Sequence, residues 1–206
     1  MKKSISILAL LAIIATGAFA QGISMAVGGG ALFDYSLNNG MKKNDRYAGF
    51  QNLSFGGFGF LDVAYAELDV SFAYGSLTFV TDVPGNKNTE KAGSFLQLGF
   101  SLLGKYPIDL GSFTFSPLLG ADYNMVLSYK DEYGKSFDKP GDYSQLGILA
   151  GVGLDFPLSG ALFFRGEALF HLRFPCKGMD DGAASIGADA TFGMGPRIKI
   201  GIGYMF

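Results

Sequence analysis

Tryptophan is missing from this 206-residue chain, and cysteine occurs once, as Cys176. A single cysteine rules out an intramolecular disulfide and a cysteine-based metal cluster. Charge is sparse: 17% of residues are charged and the formal net charge is −2, so there is no basic footprint for a nucleic-acid partner. Beyond the first twenty residues, no apolar run approaches the ~20 residues that a spanning helix needs. Yet 49% of the chain is hydrophobic, with 31 Gly, 20 Phe and 10 Tyr. Abundant glycine and aromatic residues without helical runs suit many short strands and turns.

The first twenty residues read as a cleaved export signal. Lys2 and Lys3 form a basic start, Ile5 to Ile14 is apolar apart from Ser6, and Ala18-Phe19-Ala20 is a small-x-small cleavage site before Gln21. No cysteine follows the cleavage site, which argues against a lipoprotein anchor. Residues 21–206 are then expected to form one domain.

That domain alternates with period two, the mark of strands with two different surroundings. The closing stretch is the clearest guide. Ile198, Ile200, Ile202, Tyr204 and Phe206 share one face, and Arg197, Lys199, Gly201 and Gly203 share the other. Between residues 65 and 79, Ala66, Leu68, Val70, Phe72 and Tyr74 alternate with Glu67, Asp69, Ser71, Ala73 and Gly75. Eight such strands are expected: 22–36, 50–61, 65–79, 94–106, 113–129, 143–156, 161–174, and a last one ending at Phe206. The start of the last strand is open, and Pro196 within it marks a kink or an edge-like irregularity. The second strand has muddled parity, with Leu53 and Phe55 on one face and Phe58 and Phe60 on the other; a β-bulge at Gly56-Gly57 would reconcile them. Connections alternate between long polar loops (37–47, 81–93, 130–142, 175–184) and short turns.

The outward faces carry almost no charge. A lipid-facing Lys or Arg near the midplane costs ~2–4 kcal/mol, so this absence favours lipid outside. A soluble barrel that holds an apolar ligand has the reverse polarity. Inward positions instead gather Asp34, Glu67, Asp69, Asp122, Asp155 and Glu167 with Lys105, Arg165, Arg173, Arg197 and Lys199. An eight-stranded interior is just wide enough for side chains to fill, so these charges are expected to pair in a structural ion network. Inward glycines at 99, 147, 151, 153, 201 and 203 leave room for large neighbours or for a narrow water path. Aromatic belts are expected at the long-loop end (Tyr35, Tyr74, Tyr129, Tyr143, Phe174) and at the other (Tyr106, Phe113, Phe156, Tyr204, Phe206).

With its export signal, loop rhythm and Ile200-Gly201-Ile202-Gly203-Tyr204-Met205-Phe206 ending, the chain resembles the small eight-stranded outer-membrane barrels, the group with OmpX, the membrane domain of OmpA, and OmpW. The resemblance implies an all-β, antiparallel, up-and-down transmembrane barrel in the outer membrane of a diderm bacterium, both ends periplasmic. It implies that Ile202, Tyr204 and Phe206 form a signal read by the barrel-assembly machinery. The implied surroundings are outer-membrane lipid and lipopolysaccharide, and a monomer is expected.

Chemistry is thinly represented. Members of the group that deacylate lipid A use His, Ser and Glu on the outer surface. Here the only histidine, His171, has Arg173 two residues on instead of serine, and its parity points inward. Glu67 and Asp69 could do acid–base work, but the cations expected to face them favour a structural role. Gly28-Gly29-Gly30 and Gly151-x-Gly153 lie within strands and are not phosphate loops. No cofactor or metal is expected. The leading function is a non-enzymatic surface-contact or structural role through four long extracellular loops toward an unidentified surface ligand. The alternatives are a narrow pore or hydrophobic-ligand conduit, as proposed for OmpW-like proteins, and a lipid-modifying enzyme.

Overall fold

The computed structural model describes residues 24–44, 46–83, 86–185 and 187–206. The export signal, with Ala18, Ala20 and Gln21, lies outside them. Eight long strands follow one another: β1 (Met25–Lys43), β2 (Arg46–Val63), β3 (Ala66–Val83), β4 (Asn86–Lys105), β5 (Thr114–Asp131), β6 (Gln145–Ser159), β7 (Leu162–Arg173) and β8 (Gly193–Met205). Each pairs antiparallel with the next, and β8 closes on β1 from Ala26↔Met205 to Asp34↔Arg197. Over that span the sheet closes on itself without a free edge, which removes the unpaired backbone groups that an open sheet would present to lipid.

The barrel is inside-out. Along β8, Gly193, Gly195, Arg197, Lys199, Gly201 and Gly203 are buried in strict alternation with exposed Met194, Pro196, Ile198, Ile200, Ile202 and Tyr204. Val70, Phe72, Leu102, Leu119, Leu146 and Phe170 are likewise exposed. Water would oppose so much exposed apolar surface; hydrocarbon accommodates it. Aromatic rings meet at the end that holds the last residue: Tyr204–Phe206 at 5.2 Å, Phe113–Phe156 at 5.4 Å and Tyr65–Tyr106 at 6.4 Å between centroids.

The structure changes several expectations. The stretches 37–47 and 81–93 are not loops. β1 and β2 pair out to Lys43↔Arg46, and β3 and β4 out to Val83↔Asn86. Alternation is weak there because polar residues stand at consecutive positions, as from Asn86 to Lys91, so polarity hid strands that backbone pairing extends. Two of the four long loops are thus the upper halves of tall hairpins. The other two are structured: a 3₁₀ turn at Pro140–Tyr143, and a helix α1 (Lys177–Ser185) followed by a two-residue strand at Asp189–Ala190 that pairs with Met41 and Lys42 of β1. The last strand begins at Gly193. Its pairing with β1 lapses beside Pro196, which has no N–H to give, and resumes at Leu37↔Met194.

No bulge lies at Gly56-Gly57, where β2 keeps unbroken register with both neighbours. Phe55 points out, while Phe58 and Phe60 point into the lumen. A bulge does occur at Leu127 in β5, where Leu96↔Ser128 is followed by Gln97↔Val126. It flips the parity beyond it. Tyr129 is therefore buried instead of joining an outer belt, and it packs 5.7 Å from Tyr143, which sits in the 3₁₀ turn above the barrel mouth.

Candidate functional site in the barrel lumen

Two ion networks and two apolar clusters fill the lumen. The lower network centres on Lys199 and Arg165. Register places Lys199 beside Glu167 on β7, at 2.5 Å, and its side chain reaches across to Asp69 (2.5 Å) and Glu67 (3.2 Å) on β3. Arg165 binds its register partner Asp155 with two nitrogens, Nε at 2.7 Å and Nη2 at 2.6 Å. It also donates to Glu67 at 2.8 Å and to Asp62 at 2.7 Å. Lys105 pairs with Asp62. Two phenyl rings support the Arg165 guanidinium, Phe60 at 4.2 Å and Phe163 at 5.1 Å. Such stacking suits the weakly hydrated, planar group.

The upper network is smaller. Arg197 holds its register partner Asp34 at 2.6 Å and reaches across the barrel to Asp122 on β5 at 2.8 Å. Arg173 donates to Asp34 at 2.7 Å. His171 is fully buried beside them, with Nδ1 3.9 Å from Asp34 and neither ring nitrogen hydrogen-bonded among the described residues. Apart from the part-exposed Lys105 and Asp155, these groups are withdrawn from water, where an unpaired charge is expensive, and the cross-lumen reach of Lys199 and Arg197 is how their charge is compensated.

Sequence parity missed Asp62 and the inward rings. Asp62 shares a face with Phe58 and Phe60, so reading those two as inward would have found it. The rings fit because glycine stands opposite: a Cβ on Gly203 would lie 2.2 Å from the ring of Phe163, one on Gly28 2.5 Å from Phe60, and one on Gly75 2.3 Å from Phe95. Inward glycines thus make room for side chains rather than a water path. Leu103, Leu118, Leu149 and Leu169 form a further buried cluster on the β4–β7 wall, an apolar component that the charged residues alone do not suggest.

Chemically, the middle of the lumen is filled, with open space at either end. Glu67, Asp69 and Glu167 bring carboxylate oxygens within 4.8 Å of one another, an arrangement that could hold a cation. The ammonium of Lys199 touches all three, so the chain supplies that cation itself. Cys176 is buried where α1 begins, its carbonyl accepting from the N–H groups of Met179 and Asp180 at 3.0 Å. Burial pushes its thiol above the ordinary range, which lowers its reactivity.

Closed, eight-stranded, apolar outside and charged inside, this is a small barrel of the membrane-spanning kind. No protein-family model matches the sequence, and comparison with curated proteins finds no match. Among solved structures the chain is similar to a major outer membrane protein of Thermus thermophilus, at 18% identity and TM-score 0.45, with 89% of this chain and 99% of that one covered. It is also similar to Ail, the attachment invasion locus protein of Yersinia pestis, at 17% identity and TM-score 0.43 over the same shares.

Proposed function

We propose that this is a non-enzymatic outer-membrane protein of a diderm bacterium, a monomeric barrel closed to solutes that works through its capped, outward end. The observation that supports this most directly is the combination of an apolar exterior with side chains that bridge the lumen. Lys199 joins β8 to β3, and Arg197 joins β8 to β5, so ion pairs cross the space a solute would need. In this reading the N-terminal segment is removed after Ala20, and Ile202, Tyr204 and Phe206 guide assembly. Lipid and lipopolysaccharide then surround the barrel. The tall β1–β2 and β3–β4 hairpins and the 3₁₀ and α1 segments face the outside as a contact surface for another cell or matrix.

A lipid-modifying activity gains no support, because His171 lies inside and hydrogen-bonds to no nucleophile among the described residues. The decisive measurement is conductance after refolding into planar bilayers. A closed barrel gives no steady current, and a reproducible open state would favour the pore reading. Replacing residues 132–139 with a short Gly-Ser turn should reduce adhesion to cells or matrix while the heat-modifiable gel shift of the barrel persists. Unchanged adhesion would remove that surface from the contact role.

A further inference from the structure

The lumen opens at both ends, into a cavity of about 140 Å³ beneath the cap and a larger one of about 340 Å³ at the end that holds the last residue. The larger cavity has mixed walls. Phe113, Phe163 and Met205 give it apolar surface, and Asp62, Asp155, Lys105 and Arg165 bring part of the lower ion network into it. Ser24, the first described residue, also stands in its wall.

The lower network is not neutral. Its ion pairs join five carboxylates, Asp62, Glu67, Asp69, Asp155 and Glu167, to three cations, Lys105, Arg165 and Lys199, an excess of two carboxylates. The upper network instead sets Asp34 and Asp122 against Arg173 and Arg197. Uncompensated buried charge is expensive, so the lower network calls for a further positive group. The shortage is sharpest at the cavity. Arg165 is shared among Asp62, Glu67 and Asp155, and its Nη2 alone carries both Asp62 at 2.7 Å and Asp155 at 2.6 Å. The Asp155 side chain keeps 22% of its surface accessible, so it is the carboxylate of the network that a cation can approach from the cavity.

The chain has such a cation within reach. Cleavage after Ala20 frees the α-amine of Gln21, which is largely protonated at neutral pH. Three residues, Gln21 to Ile23, precede Ser24, and they span at most ~11 Å when extended. The carbonyl of Ser24 accepts from the Ala64 N–H at 3.0 Å, and Ala26 is the register partner of Asp62, so the chain enters β1 beside these acids.

We infer that the α-ammonium of Gln21 docks in this cavity against Asp155 and halves the carboxylate excess of the lower network. In the uncut chain the same nitrogen is an uncharged amide, so removal of the export segment completes the ion network and stabilises the processed barrel over its precursor. The inference rests on the cleavage site proposed above.

The test is acetylation at neutral pH of the barrel extracted from the outer membrane, with the N-terminal peptide quantified by mass spectrometry. An opposite charge at ion-pair distance lowers the unprotonated fraction of an amine about tenfold or more. The Gln21 amine should therefore react at least about tenfold more slowly in the folded barrel than after heat unfolding. Asp155→Asn should abolish that protection and Asp155→Glu should keep it, with the heat-modifiable gel shift showing a folded barrel in each case. Cyclising Gln21 to pyroglutamate, in which the α-nitrogen attacks the side-chain amide and ammonia leaves, removes the charge. It should lower the urea midpoint by about 0.5 M in the native sequence and by less than half as much in Asp155→Asn. An amine that reacts as fast in the barrel as in the unfolded chain leaves the cavity to solvent or a free cation and overturns the inference. Protection that survives Asp155→Asn also overturns it, since the amine is then held elsewhere. A native start other than Gln21 refutes the cleavage reading itself, a failure distinct from a Gln21 amine that is present but unprotected.

Discussion

Lys199→Ala is the substitution with the sharpest expected consequence. The ammonium is nearly inaccessible to water and lies within 3.2 Å of Glu67, Asp69 and Glu167, which themselves cluster within 4.8 Å. Removing it leaves three buried carboxylates facing one another, with Arg165 at 2.8 Å from Glu67, at 3.8 Å from Glu167 and not paired with Asp69. Deleting one partner of a buried charge cluster costs ~3–5 kcal/mol. With a urea slope of ~1–3 kcal/mol/M, the unfolding midpoint should fall by about 2 M. The assay is urea unfolding of the refolded barrel in lipid vesicles, followed by the heat-modifiable gel shift. A companion variant separates charge from packing: Lys199→Met with Asp69→Asn and Glu167→Gln should recover at least half of the loss, because the remaining carboxylate, Glu67, still has Arg165 at 2.8 Å. If Lys199→Ala shifts the midpoint by less than the equivalent of ~0.5 kcal/mol, within ordinary surface effects, the paired-lumen reasoning is refuted.

Three further outcomes follow from the same geometry. Ile200→Lys places a cation in the middle of the outward row of β8 and should cost ~2–4 kcal/mol in the same unfolding assay; a neutral result would deny that this face meets lipid. Gly203→Leu must displace the Phe163 ring that covers it, which in turn flanks Arg165, and should prevent the folded band or lower the midpoint by more than Gly153→Ala does, where an added Cβ meets nothing nearer than 3.4 Å. Leu149→Ala, at a position with no exposed surface, should cost ~2–5 kcal/mol and leave conductance at zero, because the ion pairs still cross the lumen.

Sequence alone carried the barrel and its polarity. Strict alternation in β3 and β8 separates Leu68, Val70 and Phe72 from Glu67, Asp69 and Ser71, and Ile198 and Ile200 from Arg197 and Lys199. Side-chain direction along a strand is fixed by the pleat, so parity translates directly into inside and outside. It brought Asp34, Glu67, Asp69, Asp122, Glu167, Arg165, Arg173, Arg197 and Lys199 to one interior, where the structure makes ion pairs among them. What parity cannot carry is a residue whose type contradicts its side. Phe58, Phe60, Phe163 and Leu103 are apolar yet face inward, because their register partners on the neighbouring strands are glycines (Gly30, Gly28, Gly203 and Gly120), which leave volume that only large side chains fill.

Tertiary structure decided the rest through contacts that are distant in sequence. Which carboxylate meets which cation depends on strands brought face to face across the barrel, so the Lys199–Asp69 and Arg197–Asp122 pairs have no local signature. The bulge at Leu127 turns Tyr129 inward, and a one-residue change of phase is invisible where neighbouring side chains on both faces are apolar. The hairpin extensions of β1–β4 depend on backbone pairing, which polar sequence does not reveal. The cavity beneath the cap exists only because Tyr129, Tyr143 and Met179 converge there from a strand, a 3₁₀ turn and a helix. Periodicity records the solvent on each side of a strand; the content of the interior is set by which strands face one another across it.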